Sequence, residues 1–120
     1  MKKINVNWRL FIMYFVIVLF GLFSNTAYGQ ITVTQFNAGW NSANDVPWIM
    51  GLKDCKSLGY SDIAKNSEEA TKYKIAVVPT IIIFKDEEEV ARFQADLSFK
   101  MVATKEEVQE AIDELLMSDF

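Results

Sequence analysis

The chain has 120 residues, 12 Lys plus Arg against 16 Asp plus Glu, no histidine and one cysteine. That length holds one compact domain and excludes a two-lobed enzyme with a cleft between lobes. Without histidine and with Cys55 alone, Ser/His/Asp and Cys/His triads, imidazole metal sites and an intrachain disulfide are all excluded.

Charge divides the chain in two. Lys2, Lys3 and Arg9 precede an uncharged run from Leu10 to Gln30, and every acidic residue lies after it. Residues 30–120 carry 9 basic against 16 acidic groups, a net charge of −7. Phosphate backbones need clustered Lys and Arg to displace counterions, so nucleic acid is not an expected partner.

Residues 10–23, LFIMYFVIVLFGLF, are apolar or glycine throughout. Ala27 and Gly29 follow at the −3 and −1 places of a cut before Gln30. A positive start, an apolar middle and a small-residue site in that order predict a secretory signal peptide over 1–29 and a domain over 30–120. The alternative is an uncleaved membrane anchor formed by residues 10–23, although a spanning helix takes about 20 apolar residues. Export would place the domain in the periplasm or outside the cell, where a lone cysteine is buried, free or joined to another molecule. Any contact with a membrane would come through that uncleaved segment.

In the domain, Ile31 to Phe36 (ITVTQF) alternates β-branched and polar residues, which predicts a strand. Asn37 to Asn44 (NAGWNSAN) has a loop composition around Trp40. Asp45 is a possible N-cap and Pro47 fits a first turn. Trp48, Leu52 and Cys55 then share one face at i, i+4 and i+7, so a helix is expected from Asp45 until Leu58-Gly59 ends it. Tyr60 to Ala64 (YSDIA) is expected as a short strand, and Asn66 or Ser67 as the cap of a helix reaching about Tyr73. Thr80 to Phe84 (TIIIF), apolar after its first residue, suits a strand covered on both faces. Lys85 to Glu89 is a charged turn into a return strand, Val90 to Ala95. After an irregular stretch, Thr104-x-x-Glu107 is a capping box, and Val108, Ala111, Ile112 and Leu115 form the stripe of a last helix. The order β, α, β, α, β, β, α predicts a mixed sheet with helices on both faces.

These elements resemble the thioredoxin family. The likeness lies in Phe36-x-Ala38-x-Trp40 at the end of the first strand, in Lys72-Tyr73-x-Ile75-x-x-x-Pro79-Thr80, and in Ile81-Ile82-Ile83-Phe84-Lys85. It implies an α/β fold with a central mixed sheet flanked by helices, here without the first strand and helix of a full thioredoxin. It also implies a cis peptide bond at Pro79 beside a groove for an extended substrate, whose backbone would pair with Val78.

The residues that carry the family's redox chemistry are missing from the sequence. Where the family has Cys-x-x-Cys after the tryptophan, this chain has Asn41-Ser42-Ala43-Asn44, and the position of the family's buried acid is Gln35. Carboxamides cannot supply the thiolate that attacks a disulfide sulfur. The expected function is therefore a redox-inactive binding module that holds an extended or unfolded partner segment beside Trp40 and Pro79. Trp40, Asn41, Ser42, Asn44, Val78 and Pro79 are its candidate residues, with no metal and no cofactor. Trp40 is read either as an exposed anchor or as a lid on the core. Asn41, Ser42 and Asn44 are read either as ligand contacts or as ordinary turn residues. The alternative function is a thiol-disulfide oxidoreductase acting in redox homeostasis, using Cys55 or a partner's thiol. The competing reading of Cys55 is a small core residue. A third possibility is a subunit whose partner covers the groove permanently. The sequence leaves the oligomeric state open.

Overall fold

A computed structural model describes residues 30–118. The signal or anchor expected over residues 1–29 lies outside the described residues. Among the described residues, no helix is long and apolar enough to cross a membrane.

Among the described residues, four strands form one sheet: β1 (Ile31–Asn37), β2 (Ser57–Asp62), β3 (Thr80–Lys85) and β4 (Glu88–Gln94), in the order β2-β1-β3-β4. β1 and β2 are parallel, while β3 runs antiparallel to both β1 and β4. The helices are α1 (Ser67–Lys72) and α2 (Lys105–Met117). The expected mixed sheet with helical segments on both faces is what the chain forms.

Strand alternation sorts the core into two layers. Ile31, Val33, Ile81 and Ile83 point to one face, where Val108 and Ile112 of α2 pack with Val46, Ile49 and Leu52. Phe36, Ile82 and Phe84 point to the other, against Ile63, Tyr73 and Ile75 around α1. The apolar run of β3 is thus buried on both faces. β1 alternates because Thr32 and Thr34 line an open polar cleft of about 440 Å³ with Lys72, Tyr73, Phe84 and Glu87.

The expected capping box closes as written. Glu107 N–H donates to Thr104 Oγ1 at 3.2 Å, and Thr104 N–H donates back to Glu107 Oε1 at 3.3 Å. The charged hairpin turns through Asp86 and Glu87, both left-handed at φ 53° and 69°, which matches the twist of the flanking strands. α1 ends on carbonyls of Tyr73 and Lys74 that accept from the Arg92 guanidinium at 2.5 and 3.1 Å. Arg92 reaches them from β4 and is itself held by Glu89 at 2.7 Å.

One expected element does not form. Instead of a helix from Asp45 to Leu58, the chain makes one short 3₁₀ turn, Pro47–Gly51, after another at Gly39–Asn44 in the expected loop, and then runs irregularly into β2. β2 starts at Ser57, earlier than expected, because Ser57 to Tyr60 pair with Thr32 to Gln35 of β1 and bury part of Leu58. Seven residues of β1 span about 20 Å, and the crossover must carry the chain back over that distance before Ser57. Gly51 adds a weak helical position, and Asp54 is left-handed at φ 66°. The apolar residues still face the core: Ile49 and Leu52 are buried, with Trp48 and Cys55 packed beside them. The spacing identified the inward side chains, while strand pairing decided the backbone.

Candidate functional site

The site forms where β1 ends and β3 begins. Three segments meet there: the turn Gly39–Asn44, the cis Val78–Pro79 bond, and the loop between Ala95 and Met101. Asn37, the last residue of β1, is fully buried, a position where an amide must find partners. Its Nδ2 donates to Asn41 O at 3.1 Å and to Asp45 Oδ1 at 2.5 Å, and its Oδ1 accepts from Asn41 Nδ2 at 3.0 Å.

Asn41 is buried at the centre of this network. Its Nδ2 donates also to Phe99 O at 3.2 Å and reaches Val78 O at 3.5 Å, while its Oδ1 accepts from Asn44 Nδ2 at 2.8 Å. Two N–H bonds are shared among three acceptors, so the 3.5 Å contact is the weakest. The two asparagines at the sulfur positions therefore bond to each other and to the protein. Asp45 Oδ1 accepts in addition from the Tyr60 hydroxyl at 3.2 Å, and burial followed by the nearby Asp45 charge pushes the Tyr60 pKa up.

Gln35, at the place of the family's buried acid, is also buried. Its Oε1 accepts from Val46 N–H at 2.7 Å and its Nε2 approaches Val46 O at 3.5 Å. A carboxamide can donate and accept at one peptide unit, and here it fastens the crossover to β1 without titrating.

Trp40 stands outside this network with 67% of its surface exposed. Phe99 meets it edge to face, with ring centroids 5.3 Å apart at 87°. Ser42 is exposed and Asn44 half-buried on the same turn, whereas Val78 keeps only 4% of its surface exposed and Pro79 is buried. A shallow groove of about 350 Å³ runs alongside between Asn44, Asp45, Pro47 and Trp48 on one wall and Lys100 and Met101 on the other. Trp40, Asn41, Ser42, Asn44, Val78 and Pro79 are thus gathered at one end of the sheet. Asn37, Asp45 and Phe99 join them, and sequence reasoning did not select these three. Asn37, four residues before Asn41, was the only local signal. Phe99 lay in the stretch read as irregular.

Cys55 belongs to the opposite end. The amide of its neighbour Lys56 donates to Ile31 O at 2.7 Å, at the start of β1. The thiol is half-buried among core residues, and burial, helped by the Asp54 charge, pushes its pKa up. Less thiolate is then present near neutral pH, and the fraction grows only as pH rises past the usual thiol range. Labelling of folded protein by a disulfide reagent is expected to be slower than that of urea-unfolded protein at the same pH. The difference should shrink with rising pH. Equal rates near neutral pH would show an activated thiol and reopen the oxidoreductase reading.

No group of three or more acidic or cysteine residues among the described residues is arranged to hold a metal ion. No protein-family model matches the sequence, and no curated protein does. Solved structures do match. A mutant thioredoxin from Halobacterium salinarum aligns over 72% of this chain and 75% of its own, at 18% identity and a TM-score of 0.59. The reduced Schistosoma mansoni thioredoxin pre-protein aligns over 73% and 81%, at 25% identity and 0.56. The oxidised thioredoxin from Plasmodium falciparum aligns over 73% and 83%, at 17% and 0.54. The chain therefore has a thioredoxin-like fold, and with one cysteine it has no Cys-x-x-Cys pair.

Proposed function

We propose that this chain is an exported, redox-inactive binding module that holds an extended or unfolded segment of a partner protein at the end of the sheet marked by Trp40 and the cis Val78–Pro79 bond. The observation that carries this reading is Trp40. A tryptophan two-thirds exposed, yet braced edge-on by Phe99, is a large amphipathic surface with little side-chain freedom left to lose on binding. Ser42 and Asn44 offer polar contacts at its rim. Asn41 shapes the site from within, its side chain being committed to Asn37, Asn44 and Phe99. Thiol exchange is no part of this function, since Cys55 sits at the far end of β1.

The test is binding of extended peptides to the full-length chain, followed by tryptophan emission with Trp40→Phe as the reference. Trp40→Ala should weaken binding at least tenfold, the loss typical of a central aromatic anchor. Equal affinity in Trp40→Ala would move the site elsewhere. A chain that self-associates and binds no peptide would favour the permanently covered subunit.

A further inference from the structure

The two edges of the sheet are built differently. β4 carries Glu88, Glu89 and Arg92, and its pairing with β3 shifts register between Ile83 and Phe84. Charge and irregularity of this kind keep an edge from adding another strand. β2, the opposite edge, has neither. From Ser57 to Ser61 it is uncharged and without proline, and its register with β1 is unbroken. Among the described residues, β2 pairs with β1 alone. Ile63 N–H donates to Asn37 O at 2.9 Å. Strand alternation then turns the backbone groups of Ser61, Gly59 and Ser57 toward β1, and those of Leu58 and Tyr60 outward.

We infer that β2 is the seat of a homodimer, pairing antiparallel with β2 of a second copy about a two-fold axis at Gly59. The second copy is the occupant because the segment is complementary to itself. Centred on Gly59, the pairing sets Leu58 against Tyr60, Ser57 against Ser61 and Lys56 against Asp62, each twice by symmetry. Opposite charges thus meet at both ends, which favours cross-strand pairs. Parallel pairing in register would set each charge against its own copy. Moving the centre to Leu58 would set Asp62 against Asp54, and moving it to Tyr60 would give neither Lys56 nor Asp62 an opposite charge. Lys56 is exposed, and Asp62 commits only Oδ1 to its own turn, at Ala64 N–H. Each Leu58–Tyr60 pair exchanges N–H···O bonds in both directions, satisfying the outward groups, and covers part of a tyrosine that is 50% exposed. β1 separates this edge from Val78–Pro79, so the dimer does not rest on the binding reading above.

The test places a cysteine on the axis, Gly59→Cys, in the full-length chain with its own thiol removed by Cys55→Ser. A Cβ at Gly59 meets Thr34 Oγ1 at 3.4 Å, an ordinary contact, so the fold has room for it. In the inferred pairing the two copies of position 59 face each other with Cα atoms about 4.5 Å apart, within reach of a disulfide. Two copies of position 57 lie roughly 14 Å apart, beyond it. With oxidised glutathione, Gly59→Cys is expected to form covalent dimer at least about tenfold faster than Ser57→Cys, or than Val90→Cys on the other edge. Adding Lys56→Glu should slow that reaction about fivefold, and Lys56→Glu with Asp62→Lys should restore it. Equal rates at 57, 59 and 90 overturn the dimer, as does a rate at 59 that Lys56→Glu leaves unchanged. If Gly59→Cys loses the native thermal transition, sedimentation of the native chain decides. Reversible dimerisation that Lys56→Glu weakens supports the inference, and a native chain that stays monomeric at every concentration overturns it.

Discussion

Asn41→Ala is expected to destabilise the fold by about 2–4 kcal/mol, although it removes only a small polar side chain from a turn. The reason is what it leaves behind. Asn37 Oδ1, inside the protein, loses the Nδ2 that meets it at 3.0 Å, and Phe99 O loses its donor at 3.2 Å. Each unsatisfied buried polar atom costs about 1–3 kcal/mol, well above the net gain from one solvent-exposed bond. Asn44→Ala strands one acceptor, Asn41 Oδ1, at the half-buried edge of the network, and should cost about 1 kcal/mol, the low end of that range and less than Asn41→Ala. The measurement is the urea midpoint of each variant, with an unchanged slope showing that the same surface unfolds. If Asn41→Ala is no worse than Asn44→Ala, water replaces the amide and the network is not a structural centre. Asn37→Ala and the Asn37/Asn41 double variant complete a cycle, and coupling above about 0.5 kcal/mol is expected for two amides in direct contact.

This network bears on the absence of a Cys-x-x-Cys pair. Thiols at positions 41 and 44 would be weak donors and acceptors, unable to replace an amide that serves Asn37, Asn44 and Phe99 together. Asparagine at these positions is thus a different solution for the same end of the sheet. Backbone and side-chain bonds there hold a loop in place of a reactive dithiol. Gln35 is consistent with it, since it anchors Val46 with both ends of its amide and has no titratable group.

How far the sequence spoke depended on whether a signal was local. Thr104 and Glu107 are three residues apart and satisfy each other, so their box could be read directly. Alternation in ITVTQF and the unbroken TIIIF run likewise reflect which faces their own strands bury. Residues 45–58 carried equally local helix signals, Asp45, Pro47 and the 48, 52, 55 spacing. These lost to pairing of Ser57–Asp62 with β1, a contact between segments more than twenty residues apart. The site divides in the same way. Trp40 and Val78–Pro79 were picked out by resemblance to a family. Phe99 could not be, because its contact with Asn41 spans 58 positions and nothing beside it in the chain marks it.

Tyr73→Ala is expected to unlatch α1 while leaving the other face of the sheet in place. The layer under α1 is small, with only Phe36, Ile82 and Phe84 fully committed to it. The Tyr73 ring joins them, its centroid 5.4 Å from Phe36 and 5.3 Å from Phe84. A six-residue helix has no stability of its own in water, since its nucleation cost outweighs the few bonds it closes. It is held by that ring, by Arg92 on the carbonyls after its last turn, and by the Ser61 hydroxyl bonded to Glu69. Removing the half-buried ring should cost about 2–3 kcal/mol, below the range for a fully buried aromatic, and Phe36→Ala, fully buried, should cost more. Tyr73→Phe, which keeps both ring contacts, should stay near the native value. Amide exchange separates local from global loss: residues 67–75 should lose protection in Tyr73→Ala at denaturant concentrations where β1 and β3 remain protected. Uniform loss across all three would mean that the two layers unfold as one unit. Unchanged protection at 67–75 would mean that Arg92 and Glu69 alone suffice to hold the helix.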